Sequence, residues 1–348
     1  MTDPISVDGS RGEGGGQVLR TALALSAVTG RPARIDRIRA GRPQPGLRPQ
    51  HLAAVKAAGI ACGARAAGAA VGSTELLFVP AGLKASEIDI EIGTAGSVAL
   101  VLQTVAVPLS VADGPSRVTL RGGTHVPWSP TMDFLFTDWG PAMQSFGLPV
   151  SLRSQQCGYY PAGGGDLLAL IPGGGKVLPF VRRFRGNLQT IRGRAFTSCL
   201  SGDIAERIAR EARRHLRRAG VAVRIDSEDR PAIGQGAGIH LEAILEDGTR
   251  AGFSALGDRT RSSEMVAREA VNDLFEWLDS GAAVSKHLAD QILLPLALAS
   301  EPSSFTVSPV TKHLVTNAEV IRRFLPVRID IAGEVDGAGQ VTITPAAG

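Results

Sequence analysis

The sequence has few cysteines, and the three that it has are not spaced for joint use. Cys62, Cys157 and Cys199 lie far apart and form no CxxC pair. Disulfide frameworks and cysteine zinc sites need closely patterned cysteines, so we expect neither in this protein. An odd number of separated thiols is typical of a reducing compartment, which predicts the cytoplasm.

Long hydrophobic runs are also missing. The longest apolar stretches, such as residues 98–109, are shorter than the roughly 20 residues that a membrane-spanning helix needs. Residues 1–9 include two aspartates and do not have the charged and then apolar pattern of a secretion signal. We therefore expect a cytoplasmic protein that has no membrane partner.

Aromatic residues make up only 5% of the chain. The hydrophobic core should therefore be aliphatic, and few aromatic rings remain for the stacking platforms of passive single-strand binders. Three enzyme motifs are absent as well: the G-x-S-x-G elbow, HExxH, and a GxGxxG after the first predicted strand. These absences argue against a serine hydrolase, a zinc enzyme and a nicotinamide-dependent enzyme.

Glycine and arginine are prominent instead. There are 42 glycines among 348 residues, which predicts many tight turns, and a chain of this length should form about two domains. The net charge is only +4, so the distribution of charge is more informative than its sum. The arginines cluster in residues 37–48, in residues 182–194 and along a predicted helix at residues 204–220.

One pattern recurs three times along the chain: a loop of small or polar residues, an apolar helix, a strand and a second helix. The three loops lie at residues 8–17, 93–97 and 286–291. We predict an α/β (α+β) fold in which residues 1–185 and 279–348 form a large domain of three repeated β-α units. Residues 186–278 read as strand, helix, three strands and helix, and should form a smaller inserted α/β domain.

The first loop contains the run GEGGG at residues 12–16, directly ahead of a predicted helix at residues 18–29. Free backbone amides and the helix dipole both attract an anion at such a position, which favours a phosphate cradle. A flexible strand-to-helix turn is the alternative, because the run matches neither GxGxxG nor the P-loop motif. Glu13 is a potential magnesium ligand, while Gln17 and Arg20 lie about one helical turn apart and can face one phosphate.

Residues 39–51 are rich in arginine and proline, which predicts a stiff, exposed loop. Its arginines are Arg39, Arg42 and Arg48. Arginines on such a loop suit the bidentate capture of phosphates, although a solvated loop that binds nothing has the same composition.

Six histidines are available, and their chemistry alone does not select one. His215 lies among arginines on a polar helix face and should be solvated, whereas His240 lies in a predicted strand and should pack. The other four lie in or beside loop-to-helix junctions, where sites in α/β proteins form. These four are His51, His125, His287 and His313.

Seven segments of the chain resemble, in order, those of the RNA 3'-terminal phosphate cyclases. They are DGSRGEGGGQVLR (8–20), IRAGRPQPGLRPQH (38–51), GTAGSVALVLQ (93–103), GGTHVPWSP (122–130), YPAGGG (160–165), HLADQILLP (287–295) and HLVTNAEVIRRF (313–324). Together they cover nearly the whole chain outside the predicted insert. Seven blocks in the family's order are far more specific than any one of them.

The resemblance implies a fold and an activity. The large domain would have three units, each with two helices on a four-stranded sheet, similar to the carboxy-terminal domain of translation initiation factor three. The enzyme would use ATP and a divalent metal, Mg or Mn, to convert an RNA 3'-phosphate into a 2',3'-cyclic phosphate. The reaction would pass through a covalent histidine-AMP and an RNA(3')pp(5')A anhydride. The implied partners are ATP and an RNA with a 3'-phosphate end.

The resemblance also implies roles for individual residues. His313 would be the nucleophile, Glu13 would bind the metal, Asp290 would hold the adenosine and Pro130 would lie near the adenine. The full set that would contact ATP is Gln17, Arg20, Gln103, Pro130, His287, Leu288, Ala289, Asp290 and Gln291. The residues on the RNA side would be Arg39, Arg42, Gln50 and His51.

His287 departs from the family pattern, since some relatives have an aromatic residue such as tyrosine there; an imidazole can still stack or donate a hydrogen bond. A sister branch of ribosome-biogenesis proteins resembles the cyclases but lacks the nucleophilic histidine. The alternative function is therefore a non-catalytic RNA-binding protein, and the presence of His313 favours the enzyme. A carboxyvinyl transferase is a third candidate, because repeated units of similar build occur in that class.

Overall fold

Short segments of alternating hydrophobicity form the strands, and longer apolar or amphipathic segments form the helices between them. The structure, a computed structural model, describes residues 3–12 and 15–346. The strands are β1 Ile5–Asp8, β2 Ala33–Asp36, β3 Arg65–Ala67, β4 Leu76–Val79, β5 Glu87–Glu91, β6 Ser116–Gly122, β7 Ser151–Arg153, β8 Gly165–Ile171, β9 Val181–Arg182, β10 Leu188–Ser198, β11 Ala222–Asp229, β12 Gly236–Leu245, β13 Arg250–Leu256, β14 Val284–Ser285, β15 Ser303–Ser308, β16 Val327–Ala332 and β17 Gly339–Pro345.

The helices include one that contains a wider turn. A π-helical turn at Leu135–Trp139 joins two α-helical pieces, and a 3₁₀ turn at Arg217–Ala219 extends another helix. The α-helices are α1 Gly16–Thr29, α2 Pro49–Cys62, α3 Val98–Val111, α4 Met132–Phe134, α5 Gly140–Ser145, α6 Asp203–Leu216, α7 Ser263–Ser280, α8 Lys286–Leu296 and α9 Lys312–Phe324. Along residues 3–12 and 15–346, no helix combines the length and the apolar character that a membrane crossing requires.

Within the part of the chain that the structure describes, three sheets share one strand order, and a fourth differs. The first three are β1-β2-β4-β3, β5-β6-β8-β7 and β14-β15-β17-β16. In each of them the first two strands pair parallel, and the later pairs are antiparallel. The fourth sheet has the order β11-β10-β12-β13, so β11, the second of its strands along the chain, lies at an edge. The predicted mixed α/β class is confirmed.

The hydrophobic core is divided in the same way as the sheets. One large cluster of buried, mainly aliphatic side chains joins the first three sheets with α1, α2, α3, α8 and α9. A second cluster lies within residues 188–278, between the fourth sheet and the helices α6 and α7. The division into a domain of residues 1–185 and 279–348 and an inserted domain of residues 186–278 stays a prediction. We refer to residues 186–278 as the insert region.

Two boundaries affect the site, and one of them was predicted wrongly. Strand β2 ends at Asp36, because Arg37 and Arg39 adopt left-handed backbone conformations with φ of 51° and 55°. Residues 286–291 are not a loop, since α8 begins at Lys286 directly after Ser285, whose backbone is extended. The residues from His287 to Gln291 therefore occupy the first turns of a helix.

A buried ion pair joins the insert region to the rest of the molecule. Arg230 donates two hydrogen bonds to the carboxylate of Asp133, at 2.7 and 2.8 Å, and His125 Nε2 lies 2.9 Å from the same carboxylate. Burial alone would raise the pKa of Asp133, but the hydrogen bonds from His125 and Arg230 hold it well below its usual value. Asp133 is therefore charged, and its charge is matched inside the interface.

Further polar contacts hold residues 131–138, which include α4, against the fourth sheet. Thr131 and Ser254 share a hydrogen bond at 3.0 Å, and Thr137 Oγ1 lies 2.9 Å from Nε2 of the buried His240. The backbone amide of Gly252 donates to the carboxylate of Asp138. The insert region is thereby fixed in orientation, and His240 packs as its sequence position predicts.

Asp133→Ala should lower the free energy of unfolding by roughly 3–5 kcal/mol, because it leaves the charge of Arg230 buried without a counterion. The pKa of Asp133 is lower in the folded than in the unfolded protein. Asp133 therefore contributes its full stabilisation of the fold at any pH above the ordinary carboxyl pKa. The contribution is lost as the pH falls through the lowered value. Urea unfolding measures the loss, with Asp89→Ala, which removes an exposed partner of Arg121, as the control. Equal losses in the two variants would contradict a stabilising role for the buried pair.

Candidate active site

A cleft of about 1860 Å³ lies between the three-sheet part of the molecule and the insert region. Pockets for drug-sized ligands measure roughly 300–1,000 Å³, so this cleft has space for more than one such group. We call it the central cleft. The predicted site residues that line it are Gln17, Arg20, Gln103, Pro130, His287, Asp290, Gln291 and His313.

Three of these residues form one hydrogen-bonded chain. Gln17 Nε2 donates to Asp290 Oδ2 at 2.6 Å, and His313 Nδ1 lies 2.7 Å from Gln17 Oε1. A carboxylate only accepts hydrogen bonds, so the amide nitrogen of Gln17 must face Asp290 and its oxygen must face His313. Nδ1 of His313 therefore carries a proton, and the lone pair of a neutral ring is on Nε2.

The chain of hydrogen bonds forms where the amino-terminal turns of three helices converge. Gln17 lies in the first turn of α1, Asp290 in the second turn of α8 and His313 in the first turn of α9. The Thr311 hydroxyl caps α9 by accepting from the backbone amide of Leu314. Helix amino termini carry partial positive charge, so the site is suited to anions.

Two residues that the sequence analysis did not single out hold these helices together. Asn317 Nδ2 donates to the backbone oxygen of Asp290 at 2.6 Å, and its Oδ1 accepts from the Thr21 hydroxyl at 2.6 Å. A polar pair buried between α1, α8 and α9 has no local sequence signal, because its members are 296 residues apart. Only the motif HLVTN, which contains Asn317, pointed to this position.

Arg20 and Asp290 each affect the pKa of the other in the cleft. Burial lowers the pKa of Arg20 to about 10, and the charge of Asp290 acts in the opposite direction. Burial also raises the pKa of Asp290, while His313, His287 and Arg20 favour its charged form. Arg20 thus stays protonated at neutral pH beside the carboxylate, and its charge can meet a phosphate.

Helix α8 presents only one of its faces to the cleft. His287, Asp290 and Gln291 line the cleft, at the spacing of one helical turn. Gln291 accepts a hydrogen bond from Gln103 and donates to the backbone oxygen of His287 at 2.5 Å. Leu288 and Ala289, which were predicted to contact ATP, turn away and pack against the hydrophobic core. Their side chains are not part of the cleft wall.

The four residues predicted for the RNA side gather near the amino terminus of α1. His51 is buried, and its Nδ1 accepts from the backbone amide of Arg48 at 3.0 Å, so its proton is on Nε2. Burial and the charges of Arg20, Arg39 and Arg48 lower the pKa of His51 to about 3, which keeps the ring neutral. Gly16 is required here, because a Cβ at that position would overlap His51 Nε2.

The arginine loop is exposed as predicted at residues 41–45. One of its arginines hydrogen-bonds to the backbone of the loop itself. Arg39 donates to the backbone oxygens of Gln44 and Gly46, at 2.7 and 2.9 Å. Burial and the neighbouring charges of Arg48 and Arg42 lower the pKa of Arg39. The loop therefore holds a concentrated positive charge that an anion would stabilise.

Gln50 has a structural contact in addition to its predicted role. Its Oε1 accepts from the backbone amide of Ser97 at 3.0 Å, just ahead of helix α3. The amide nitrogen of Gln50 is the part of the side chain that remains suited to a phosphate oxygen.

The predicted metal ligand, Glu13, lies outside the described residues. Within residues 3–12 and 15–346, no group of three or more histidine, cysteine, aspartate or glutamate side chains is arranged to hold a metal ion. Mg²⁺ is commonly bound by one or two carboxylates together with substrate phosphates, and such a site needs no preformed cluster.

The structure also separates the remaining histidines. His125 is buried against Asp133, as described above, and His215 Nε2 lies 2.8 Å from Glu211 on the surface of α6. His215 is half-buried and lies within hydrogen-bonding distance of Glu211, rather than being simply solvated. Of the four histidines that the sequence left open, His313 is the one whose ring is oriented by a glutamine that in turn hydrogen-bonds to a carboxylate in the cleft.

An α/β protein whose cleft brings together an oriented imidazole, a carboxylate and arginines at helix amino termini has the features of a phosphate-handling enzyme. The sequence model of the RNA 3'-terminal phosphate cyclases matches residues 11–331. The chain is 45% identical to a protein of that name from Methylococcus capsulatus, over 97% of this chain and 96% of the relative. Proteins of the same name from Nostoc punctiforme and Methanopyrus kandleri are 42% and 41% identical, each over at least 97% of this chain and 99% of the relative. The chain belongs to the RNA 3'-terminal phosphate cyclase family.

Proposed function

We propose that this protein is an RNA 3'-terminal phosphate cyclase, a ligase-type nucleotidyl transferase that uses ATP in RNA processing. The observation that carries the proposal is the hydrogen-bonded chain of His313, Gln17 and Asp290 in a chain of this family. It orients the imidazole so that Nε2 can attack a phosphorus atom. The reaction would convert a 3'-phosphate into a 2',3'-cyclic phosphate in three steps.

In the first step, Nε2 of His313 attacks the α-phosphorus of ATP and pyrophosphate leaves. Attack makes the ring cationic. The amide of Gln17 hydrogen-bonds to both Nδ1 of the ring and Asp290, and so links the positive charge to the carboxylate. Arg20 and the amino termini of the converging helices stabilise the charge on the phosphoryl oxygens. The product is a phosphoramidate between His313 and AMP.

ATP would be held by residues of the cleft wall. Asp290 and the linked amides of Gln103 and Gln291 offer polar contacts, with Asp290 at the adenosine. Pro130 offers a flat apolar surface for the adenine, and the half-exposed His287 ring can stack or hydrogen-bond. Leu288 and Ala289 would take part only through their backbone atoms.

In the second step, the RNA 3'-phosphate takes AMP from His313. Arg39, Arg42 and Gln50 would hold this phosphate together with Nε2–H of His51, which can donate because the neutral ring carries its proton there. The mixed anhydride RNA(3')pp(5')A forms, and the imidazole of His313 leaves. In the third step, the adjacent 2'-hydroxyl attacks the RNA phosphorus and AMP departs, with proximity supplying much of the rate.

A divalent metal, Mg or Mn, belongs to the proposal. When bound to the nucleotide phosphates, it would neutralise charge on the departing pyrophosphate. Glu13 would supply a carboxylate beside these phosphates, close in sequence to Gln17 and Arg20. We further propose a cytoplasmic location, which the three unpaired thiols of Cys62, Cys157 and Cys199 support.

His313→Ala should abolish covalent labelling by ATP that is radioactive at the α-phosphate, because the ring whose Nε2 attacks the α-phosphorus is then missing. The label on the wild type should be stable to base and labile to acid, as a phosphoramidate is. His215→Ala is the matched control, since His215 lies on the surface of α6 and should leave labelling unchanged. Undiminished label on His313→Ala would contradict the assignment. Absence of label on the wild type would favour a non-catalytic RNA-binding protein.

A DNA strand with a 3'-phosphate should start the reaction and fail to finish it. It offers the same phosphate to the histidine-AMP, but it lacks the 2'-hydroxyl that the third step requires. DNA carrying a terminal AMP should therefore accumulate and appear as a slower band on a gel. An RNA whose terminal ribose is 2'-O-methylated should stop at the same stage. Release of AMP from both blocked strands as fast as from normal RNA would contradict the proposed order of steps.

A further inference from the structure

The tryptophans and tyrosines of this chain are divided sharply by their exposure. Of three tryptophans and two tyrosines, Trp139, Trp277 and Tyr159 are at least 96% buried. Trp128 is 99% exposed and Tyr160 is 73% exposed, and both line the central cleft. Aromatic rings are scarce in this sequence, so two exposed rings at one cleft require an explanation.

The two exposed rings come from neighbouring loops. The backbones of His125 and Tyr159 pair as a parallel bridge, and the amides of Thr124 and His125 both donate to the oxygen of Gly158. Trp128 follows His125 by three residues, and Tyr160 follows Tyr159 directly. The two loops thus start side by side, and both Trp128 and Tyr160 line the cleft.

The backbone at Trp128 supports a functional reading. Its φ is 59°, in the left-handed region that bulky residues rarely adopt, and the Ser129 hydroxyl closes the turn by donating to the oxygen of Val126 at 3.0 Å. A ring that is 99% exposed gains almost nothing from packing. Backbone strain that packing does not compensate is typical of residues that meet a ligand.

We propose that Trp128 and Tyr160 form a stacking platform for the last nucleosides of the RNA strand, on the 5' side of its terminal phosphate. This inference rests on the proposed function. Every base has a flat π face, so aromatic stacking accepts any RNA sequence, which an enzyme that acts on RNA ends requires. The central cleft, at about 1860 Å³, has space for these nucleosides in addition to ATP.

The exposure of Trp128 favours RNA over the adenine of ATP as the occupant. An enzyme encloses a nucleotide that it must select. The hydrogen bonds that join Gln103, Gln291 and His287 allow the adenine of ATP to be enclosed in this way. A ring at the rim suits a polymer that continues into solvent. The charges with which the insert region lines the cleft are balanced, with Arg207, Arg259 and Arg261 against Asp258, Glu264 and Glu269. Stacking on Trp128 and Tyr160 is therefore expected to contribute more to affinity than this wall's net charge does.

The experiment compares Trp128→Ala with wild type on a single-stranded RNA that ends in a 3'-phosphate. The KM for this RNA should rise about tenfold or more, as expected when a stacked base loses its ring. The rate of self-adenylylation with ATP alone should stay unchanged, which also shows that the variant is folded. Trp128→Phe should restore most of the affinity. Phe184→Ala is the matched control, because Phe184 is 79% exposed but lies away from the central cleft.

A second substrate tests stacking directly. On an RNA whose last two positions are abasic, wild type should already show the raised KM, and Trp128→Ala should add no further loss. RNA should also quench the emission of Trp128, and this readout does not depend on catalysis. If Trp128→Ala raised the KM equally on both RNAs, or left the KM unchanged, the result would overturn the platform. Slower self-adenylylation in Trp128→Ala would assign the ring to ATP instead. If wild type failed to form the histidine-AMP at all, the proposed function would fail, whereas quenching by RNA would still report on the platform.

Discussion

The side-chain amide of Gln17 has one orientation available to it, and the chemistry of the cleft depends on that orientation. Its nitrogen must face Asp290, because a carboxylate accepts hydrogen bonds and does not donate them. Its oxygen then fixes the proton of His313 on Nδ1 and leaves the lone pair on Nε2. A carboxylate in place of this amide would bring a second negative charge beside Asp290, so a glutamine suits the position better than a glutamate.

This contact exists only because the fold closes on itself. Gln17 and His313 are 296 residues apart in sequence, and they meet because α1 packs against α9 in a core shared by the first and third sheets. Asn317 links α8 and α1 within the same core. The Asp133–Arg230 pair then sets the insert region as the opposite wall of the cleft. Stability and site geometry are therefore consequences of the same packing.

Much of this arrangement was predictable from the sequence, and the failures have physical reasons. Hydrophobic periodicity predicts most helices, and the order of seven motifs selects His313 where chemistry left four histidines. The loop predicted at residues 286–291 is wrong, because polar residues at a helix amino terminus resemble a loop when their partners are unknown. Leu288 lies in a matching motif, and its partly buried side chain packs against the core, so its contact with ATP stays a prediction. The ion pair of Asp133 and Arg230 joins residues 97 positions apart, and no local pattern predicts it.

The orientation of Gln17 is most directly tested by the atom of His313 that carries AMP. The adenylylated protein can be digested, and the linkage isomer of the phosphoramidate on His313 determined by ¹⁵N–³¹P nuclear magnetic resonance. We expect the phosphorus on Nε2, because Gln17 holds the proton on Nδ1. A bond from phosphorus to Nδ1 of His313, or to a different histidine, would contradict this account.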